Sequence, residues 1–200
     1  MMTVAITQRV AVIPEYGERR DCLDQAWSKF LRACGLLPLP MPNVADVALE
    51  MFRRPDLAGL VLTGGNDLAV LGGNAPERDR TENALLDEAE ARGLPVLAVC
   101  RGMQLIQHRH GITLSRVEGH VAPRQTIAIR GRPTEVNSYH CFGAHESRPP
   151  LEVWAVAPDG VIKAIRHASR PIAGVMWHPE RRSPFAADDI ALFRSVFGAA

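Results

Sequence analysis

Pro95-Val-Leu-Ala-Val-Cys100-Arg-Gly-Met-Gln104 is the stretch on which the reading of this chain turns. Its first half is a short apolar run bounded by proline, which fits a buried strand, and Gly102 to His110 takes up a helical pattern. Cys100 stands at the sharp turn between them. Ala98 and Gly102, two positions to either side, are small enough to let the strand and helix backbones approach, the layout of a nucleophile elbow. A helix start offers unpaired N–H groups and the positive end of a dipole, both of which favour a thiolate. A free thiol titrates near 8.5, and such a setting lowers it by about a unit or more. The backbone N–H of Arg101 points the same way and can receive a developing oxyanion. An isolated Cys at a strand end is ordinarily a small core residue; here strand, elbow and helix together favour the nucleophile.

Outward from this segment, short apolar runs alternate with helical patterns, which predicts an α/β fold: a three-layer sandwich around a mainly parallel central sheet. Towards the N-terminus the expected order is a strand from Val4 to Val10 and a helix opened by Asp21. That helix has the face Leu23, Trp27, Phe30, Leu31 and Cys34, and Gly35 closes it. A strand from Leu36 to Pro40, a short helix from Asp46 to Phe52 and a buried strand from Ala58 to Thr63 follow. Asp79 and Glu82 have capping-box spacing for a helix running through Arg92 to Gly93. Beyond Gly111 the pattern changes to short strands at Gln125–Arg130, Leu151–Ala157 and Val161–Ile165. A last strand, Ile172–Trp177, precedes a helix faced by Ile190, Phe193 and Phe197.

The whole chain, 1–200, reads as a single domain. Hydrophobic residues make up 46% of it, too many for a disordered chain. With 23 Lys and Arg against 22 Asp and Glu, no global field recruits nucleic acid or an anionic membrane. Four Cys do not make a disulfide framework, and no stretch approaches the ~20 apolar residues of a membrane span. The N-terminus lacks a basic leader and a small-residue cleavage site, so the expected location is cytoplasmic. No cofactor is implied. His108, His110 and His120 lack partners at zinc-ligand spacing, so no metal is expected.

A cysteine nucleophile needs a base and a group that orients the base. Val175-Met-Trp-His178-Pro-Glu180 supplies both at a strand end. Residues two apart in an extended chain share a side, so Glu180 can hold the His178 tautomer, the part the acid plays in a Ser-His-Asp triad. Gly64-Gly65-Asn66, after an apolar strand, reads as an ordinary βα turn or as a second oxyanion donor through the N–H of Gly65. A phosphate cradle is disfavoured because the Lys and Ser/Thr of a P-loop are missing.

Five strings together resemble the class I glutamine amidotransferase superfamily in its γ-glutamyl-hydrolase branch: Thr63-Gly-Gly-Asn-Asp67; Arg78-Asp79 with Glu82; Val99-Cys-Arg-Gly-Met-Gln104; Val136-Asn-Ser-Tyr-His140; and Trp177-His-Pro-Glu180. The resemblance implies a flavodoxin-like sheet and a small γ-glutamyl substrate. Cys100 would form a glutamyl-thioester, His178 would shuttle the proton, and Glu180 would orient the ring. Gly65 and Arg101 would supply oxyanion N–H groups, while Gly64, Asn66, Gln104, Ser138, Tyr139 and His140 would hold substrate. Within the branch, Ala5-Ile-Thr-Gln-Arg9, Arg20-Asp-Cys-Leu-Asp24, the Gly64-Gly-Asn-Asp67 loop and Met176-Trp-His-Pro-Glu-Arg181 are most similar to γ-glutamyl-CDP-amidate hydrolases of capsule phosphoramidate pathways. Ala98 stands where Gly is frequent, Met176 where Gln is common, and the loop lacks the Pro-Gly-Gly form of many relatives.

Two other functions stay open: a glutaminase subunit that delivers ammonia to a synthetase partner, and a non-catalytic binding or regulatory member of the fold. A homodimer is compatible with either. Arg78, Asp79 and Glu82 brace the Gly-rich loop, cap a helix or touch substrate. Of Arg124, Arg130, Arg132, Arg148, Arg181 and Arg182, the sequence singles out none as a phosphate contact.

Overall fold

The computed structural model describes residues 1–199. Its strands are β1 (Met2–Thr7), β2 (Arg9–Ile13), β3 (Glu18–Cys22), β4 (Leu36–Met41), β5 (Leu57–Leu62), β6 (Val96–Val99), β7 (Ser115–Arg116), β8 (Val121–Ile129), β9 (Arg132–Tyr139), β10 (Phe142–Gly143), β11 (Leu151–Val156), β12 (Ile162–His167) and β13 (Ile172–Val175). The helices are α1 (Gln25–Ala33), α2 (Ala45–Phe52), α3 (Pro76–Ala91), α4 (Arg101–Arg109) and α5 (Ala187–Phe197). A nine-stranded sheet runs in the order β4-β1-β5-β6-β13-β12-β11-β8-β9. From β4 to β13 the neighbours are parallel; from β13 to β9 they are antiparallel.

Alternation along the parallel strands builds two cores. Val4, Ile6, Leu97 and Val99 face one side, where Trp27, Phe30 and Leu31 of α1 and Phe193 and Phe197 of α5 cover them. Ala5, Val96 and Ala98 face the other, against Phe52 of α2, Leu85 and Leu86 of α3, and Met103 and Ile106 of α4. Helices on both faces give the expected three layers. No described helix is long and apolar enough to cross a membrane.

Three local expectations are corrected. The strand expected over Val4–Val10 breaks after Thr7, and Arg9–Ile13 pairs antiparallel with Glu18–Cys22 in a separate ribbon. Asp21 lies in that ribbon, where its carboxylate accepts the Asn43 N–H at 2.9 Å. Asp24 is the cap of α1 instead, accepting from the Ala26 N–H at 2.9 Å. Helix α3 begins at Pro76, whose fixed φ suits a first helical position, so Asp79 and Glu82 sit inside it and form no capping box.

The elbow depends on close backbone approach. A Cβ at Gly102 would lie 2.6 Å from Leu62 Cβ and 2.7 Å from its carbonyl oxygen, so α4 must move away from β5 to admit one. Gly102→Ala is expected to cost about 1–3 kcal/mol, as overpacking does. Urea unfolding measures it, and a cost below about 0.5 kcal/mol would mean that the two backbones separate freely.

Candidate active site

Cys100 sits where β6 meets α4, held by its N–H to Val175 O at 2.7 Å and its carbonyl to the Gln104 N–H at 3.0 Å. Its φ of 52° lies in the region that non-glycine residues rarely adopt. Strain of this kind costs of order 1–3 kcal/mol and persists only where surrounding contacts enforce it. The side chain is buried, with 5% exposure. β13 lies beside β6 in register, so the segment after Val175 emerges next to the elbow.

His178 is extended, and Pro179–Arg181 then winds one turn of 3-10 helix. That turn, rather than the extended geometry expected from the sequence, brings Glu180 Oε1 to 2.7 Å from His178 Nδ1. The other ring edge faces the elbow: a Cβ built on Gly64 would lie 3.3 Å from Nε2 and 3.4 Å from Cys100 Cβ. Asn137 fixes the backbone of the base, its amide donating to His178 O at 2.8 Å and accepting from His178 N at 2.7 Å. Burial disfavours the charged ring, but hydrogen bonding with Cys100 and Glu180 outweighs it and pushes His178 up to about 9.

This geometry carries a pH signature. Glu180→Gln removes one of the two partners that raise His178, so the imidazolium is lost at lower pH and the alkaline limb of kcat/KM moves to lower pH. The rate is expected to fall by about 10²–10⁴, the scale seen when a triad acid is neutralised. An alkaline limb identical to that of the unmutated protein would show that His178 is not the titrating group.

The Gly-rich loop is braced from beneath. The buried Arg78 donates to Thr63 O at 2.7 Å, Gly64 O at 3.1 Å and Gly65 O. Because the 64–65 peptide is trans and planar, fixing Gly64 O on Arg78 aims the Gly65 N–H away from it. Arg78 and Arg101 share the carboxylate of the fully buried Glu82, and Arg101 also meets Asp79. Arg101 thus turns its side chain into the protein and leaves only its backbone at the elbow. Asp79 accepts from the Ala69 N–H at 2.8 Å.

The residues expected to hold substrate are placed unevenly. Asn66 commits both polar ends to Val10, accepting from its N–H at 2.8 Å and donating to its carbonyl at 2.9 Å. It ties the loop to the β2–β3 ribbon instead of reaching into the site. Gln104, almost fully buried, donates to Phe142 O at 2.8 Å. Ser138 and His140 are buried; only Tyr139 of that trio is exposed, its ring 5.9 Å from the ring of His178.

Beneath Ser138 and His140 lies a residue that the sequence reading missed. Lys163, 1% exposed, donates to Ser138 Oγ at 2.9 Å and meets His140 Nε2 at 2.7 Å. Burial brings Lys163 down to about 8, and burial together with the Lys163 charge takes His140 down to about 3. His140 is therefore neutral, its Nδ1 engaging Phe142 O at 2.9 Å. His120 is buried against His140 and meets Asp159 at 2.9 Å. No apolar periodicity marks a lysine at position 163; the signal available was a charge inside the otherwise apolar run Val161–Ile165.

The family described as Peptidase C26 matches residues 3–128 and 120–180. The γ-glutamyl-CDP-amidate hydrolase of Campylobacter jejuni subsp. jejuni serotype O:2 is 29% identical, over 91% of this chain and 92% of its own. The γ-glutamyl-γ-aminobutyrate hydrolase of Escherichia coli K12 is 28% identical, over 90% of this chain and 85% of its own. A glutamine amidotransferase structure from Thermotoga maritima superposes with a TM-score of 0.68 at 13% identity, covering 97% of this chain and 83% of that one.

Proposed function

The chain belongs to the peptidase C26 family, and from that premise we propose that it is a cysteine hydrolase that cleaves a γ-glutamyl amide or phosphoramidate bond through a glutamyl-thioester. The Cys100 sulfur attacks the γ-carbonyl carbon, and the oxyanion settles against the N–H groups of Gly65 and Arg101. As the C–N bond breaks, His178 gives its proton to the departing nitrogen. Water then adds to the thioester with neutral His178 taking its proton, the C–S bond breaks, and glutamate leaves with the thiol restored. Glu180 keeps the ring oriented through both steps. The observation that carries this reading is the 2.7 Å contact between Glu180 and His178, with the opposite ring edge turned to Cys100.

For the substrate itself, a γ-glutamyl nucleotide amidate is the reading that the Campylobacter relative supports. A glutamate-release panel over γ-glutamyl amides, polyglutamates, glutamine and γ-glutamyl nucleotide amidates tests it, ranked by kcat/KM. The expected outcome is release from γ-glutamyl amides or amidates well above that from free glutamine, with a glutamyl adduct trapped on the Cys100 peptide. Glutamine as the preferred substrate would favour an amidotransferase subunit; no release and no adduct would leave a binding protein.

A further inference from the structure

A pocket of about 170 Å³ opens beside His178 and the Gly64–Gly65 turn. Its walls gather segments far apart in sequence: Arg9 from β2, Asp24 and Trp27 at the start of α1, and Arg181 directly after Glu180. Arg9 lies against the loop, where a Cβ on Gly65 would be 3.0 Å from its Cδ. Arg181 is poised by two neighbours: its Nε is 3.4 Å from Glu180 Oε1, and its guanidinium sits over the Tyr139 ring at 5.1 Å. Arg19 and Arg20, on the same ribbon, are paired with Glu77 and Glu18. Among the described residues, Arg9 has no such ion pair. The pocket's other acid, Asp24, is engaged in capping α1.

The chemistry sets which part of a substrate meets this pocket. His178 must reach the departing nitrogen, so the leaving group lies on the imidazole side of the reacting carbon, and this pocket is on that side. Guanidinium groups match phosphate oxygens in charge and in fork geometry. We propose that Arg9 and Arg181 form a leaving-group subsite for a phosphate or diphosphate attached to the scissile nitrogen. The proposal rests on the γ-glutamyl hydrolase reading above and assigns residues to its selectivity. In the step concerned, the C–N bond breaks, the nitrogen keeps its bond to phosphorus and takes the His178 proton, and the product leaves as a phosphoramidate held by the two arginines.

The test compares kcat/KM for a γ-glutamyl nucleotide amidate and for γ-glutamyl-p-nitroanilide, whose leaving group is uncharged. Arg9→Gln and Arg181→Gln are each expected to lower the charged-to-neutral ratio about 10–100-fold, the loss that goes with one charged hydrogen-bonding partner. Arg124→Gln, at a side chain 80% exposed on another strand, is the control and is expected to leave the ratio within about twofold. An unchanged ratio in either pocket variant overturns the proposal. Titration calorimetry with inorganic pyrophosphate separates this failure from failure of the hydrolase reading. If the wild-type protein cleaves neither substrate, pyrophosphate binding that both pocket variants weaken still supports the subsite. Absent binding, or binding that the variants leave intact, overturns it.

Discussion

Cys100→Ala is expected to lower glutamate release by at least about four orders of magnitude, since loss of the nucleophile in a concerted triad costs about as much as loss of the whole set. The fold is expected to survive. Both hydrogen bonds that hold position 100 are backbone ones, to Val175 O and from the Gln104 N–H, and alanine retains them. The φ of 52° is as strained for alanine as for cysteine, so that term cancels between the two proteins. Cys100→Ser keeps an oxygen in place but presents a far weaker nucleophile beside His178, and is also expected to be inactive. Release is read by a coupled glutamate assay, and integrity by circular dichroism and thermal melting. Turnover near the wild-type rate in a folded Cys100→Ala protein would remove the thioester from the mechanism.

Glu82→Ala is expected to cost about 3–5 kcal/mol, the range for stripping one partner from a buried ion pair. Its carboxylate is shared between Arg78 and Arg101, and both guanidiniums are essentially without solvent. Burial opposes the ionised form of Glu82, yet Arg101 and then Arg78 hold it below the usual carboxylate range. Burial also lowers Arg78, to about 10, with Glu82 acting the other way. With the carboxylate gone, Arg78 keeps only neutral acceptors, most of them the carbonyls of the loop it braces, so kcat/KM is expected to fall along with stability.

The sign of the pH dependence follows. A carboxylate held below its unfolded value contributes stability in full above that value, about 4.3 for Glu, and the contribution fades as pH falls through the depressed folded value. The stability gap between wild type and Glu82→Ala should therefore be widest near neutrality and shrink in acid. Glu82→Gln, which keeps the shape without the charge, should lose less than Glu82→Ala. Guanidinium titrations at several pH values measure this. A neutral-pH loss below about 1 kcal/mol would show that water or a shifted side chain replaces the carboxylate.

Much of the fold was legible because it rests on short-range rules. The apolar run before Cys100 and the small residues at 98 and 102 required an elbow, and one such contact, Gly102 on Leu62, appears in the structure at the closeness expected. Phe30, Leu31, Phe193 and Phe197, picked out by helical spacing, are all buried. The β2–β3 ribbon escaped notice because Glu18-Arg-Arg-Asp-Cys22 carries four charged residues in succession, with no alternation to mark a strand. At the candidate site, His178 and Glu180 were readable as a pair because only one residue separates them. Asn66 and Asn137 were not, since each engages backbone that is 56 and 41 residues away.

By itself, then, the sequence determined the alternation of strands and helices, the elbow at Cys100 and the coupling of His178 to Glu180. Each depends on geometry within about ten residues, steric fit and side-chain period for the first two and, for His178 and Glu180, a 3-10 turn in place of the extended alternation expected. Tertiary structure alone decided that Glu82 joins two arginines under the loop, that Lys163 lies beneath Ser138 and His140, and that Arg9 and Arg181 line one pocket beside the base. A polar side chain carries no periodic mark of its partner. Its role is set by which distant group the packed strands place within hydrogen-bonding distance, where burial makes an unpaired polar atom too costly to leave.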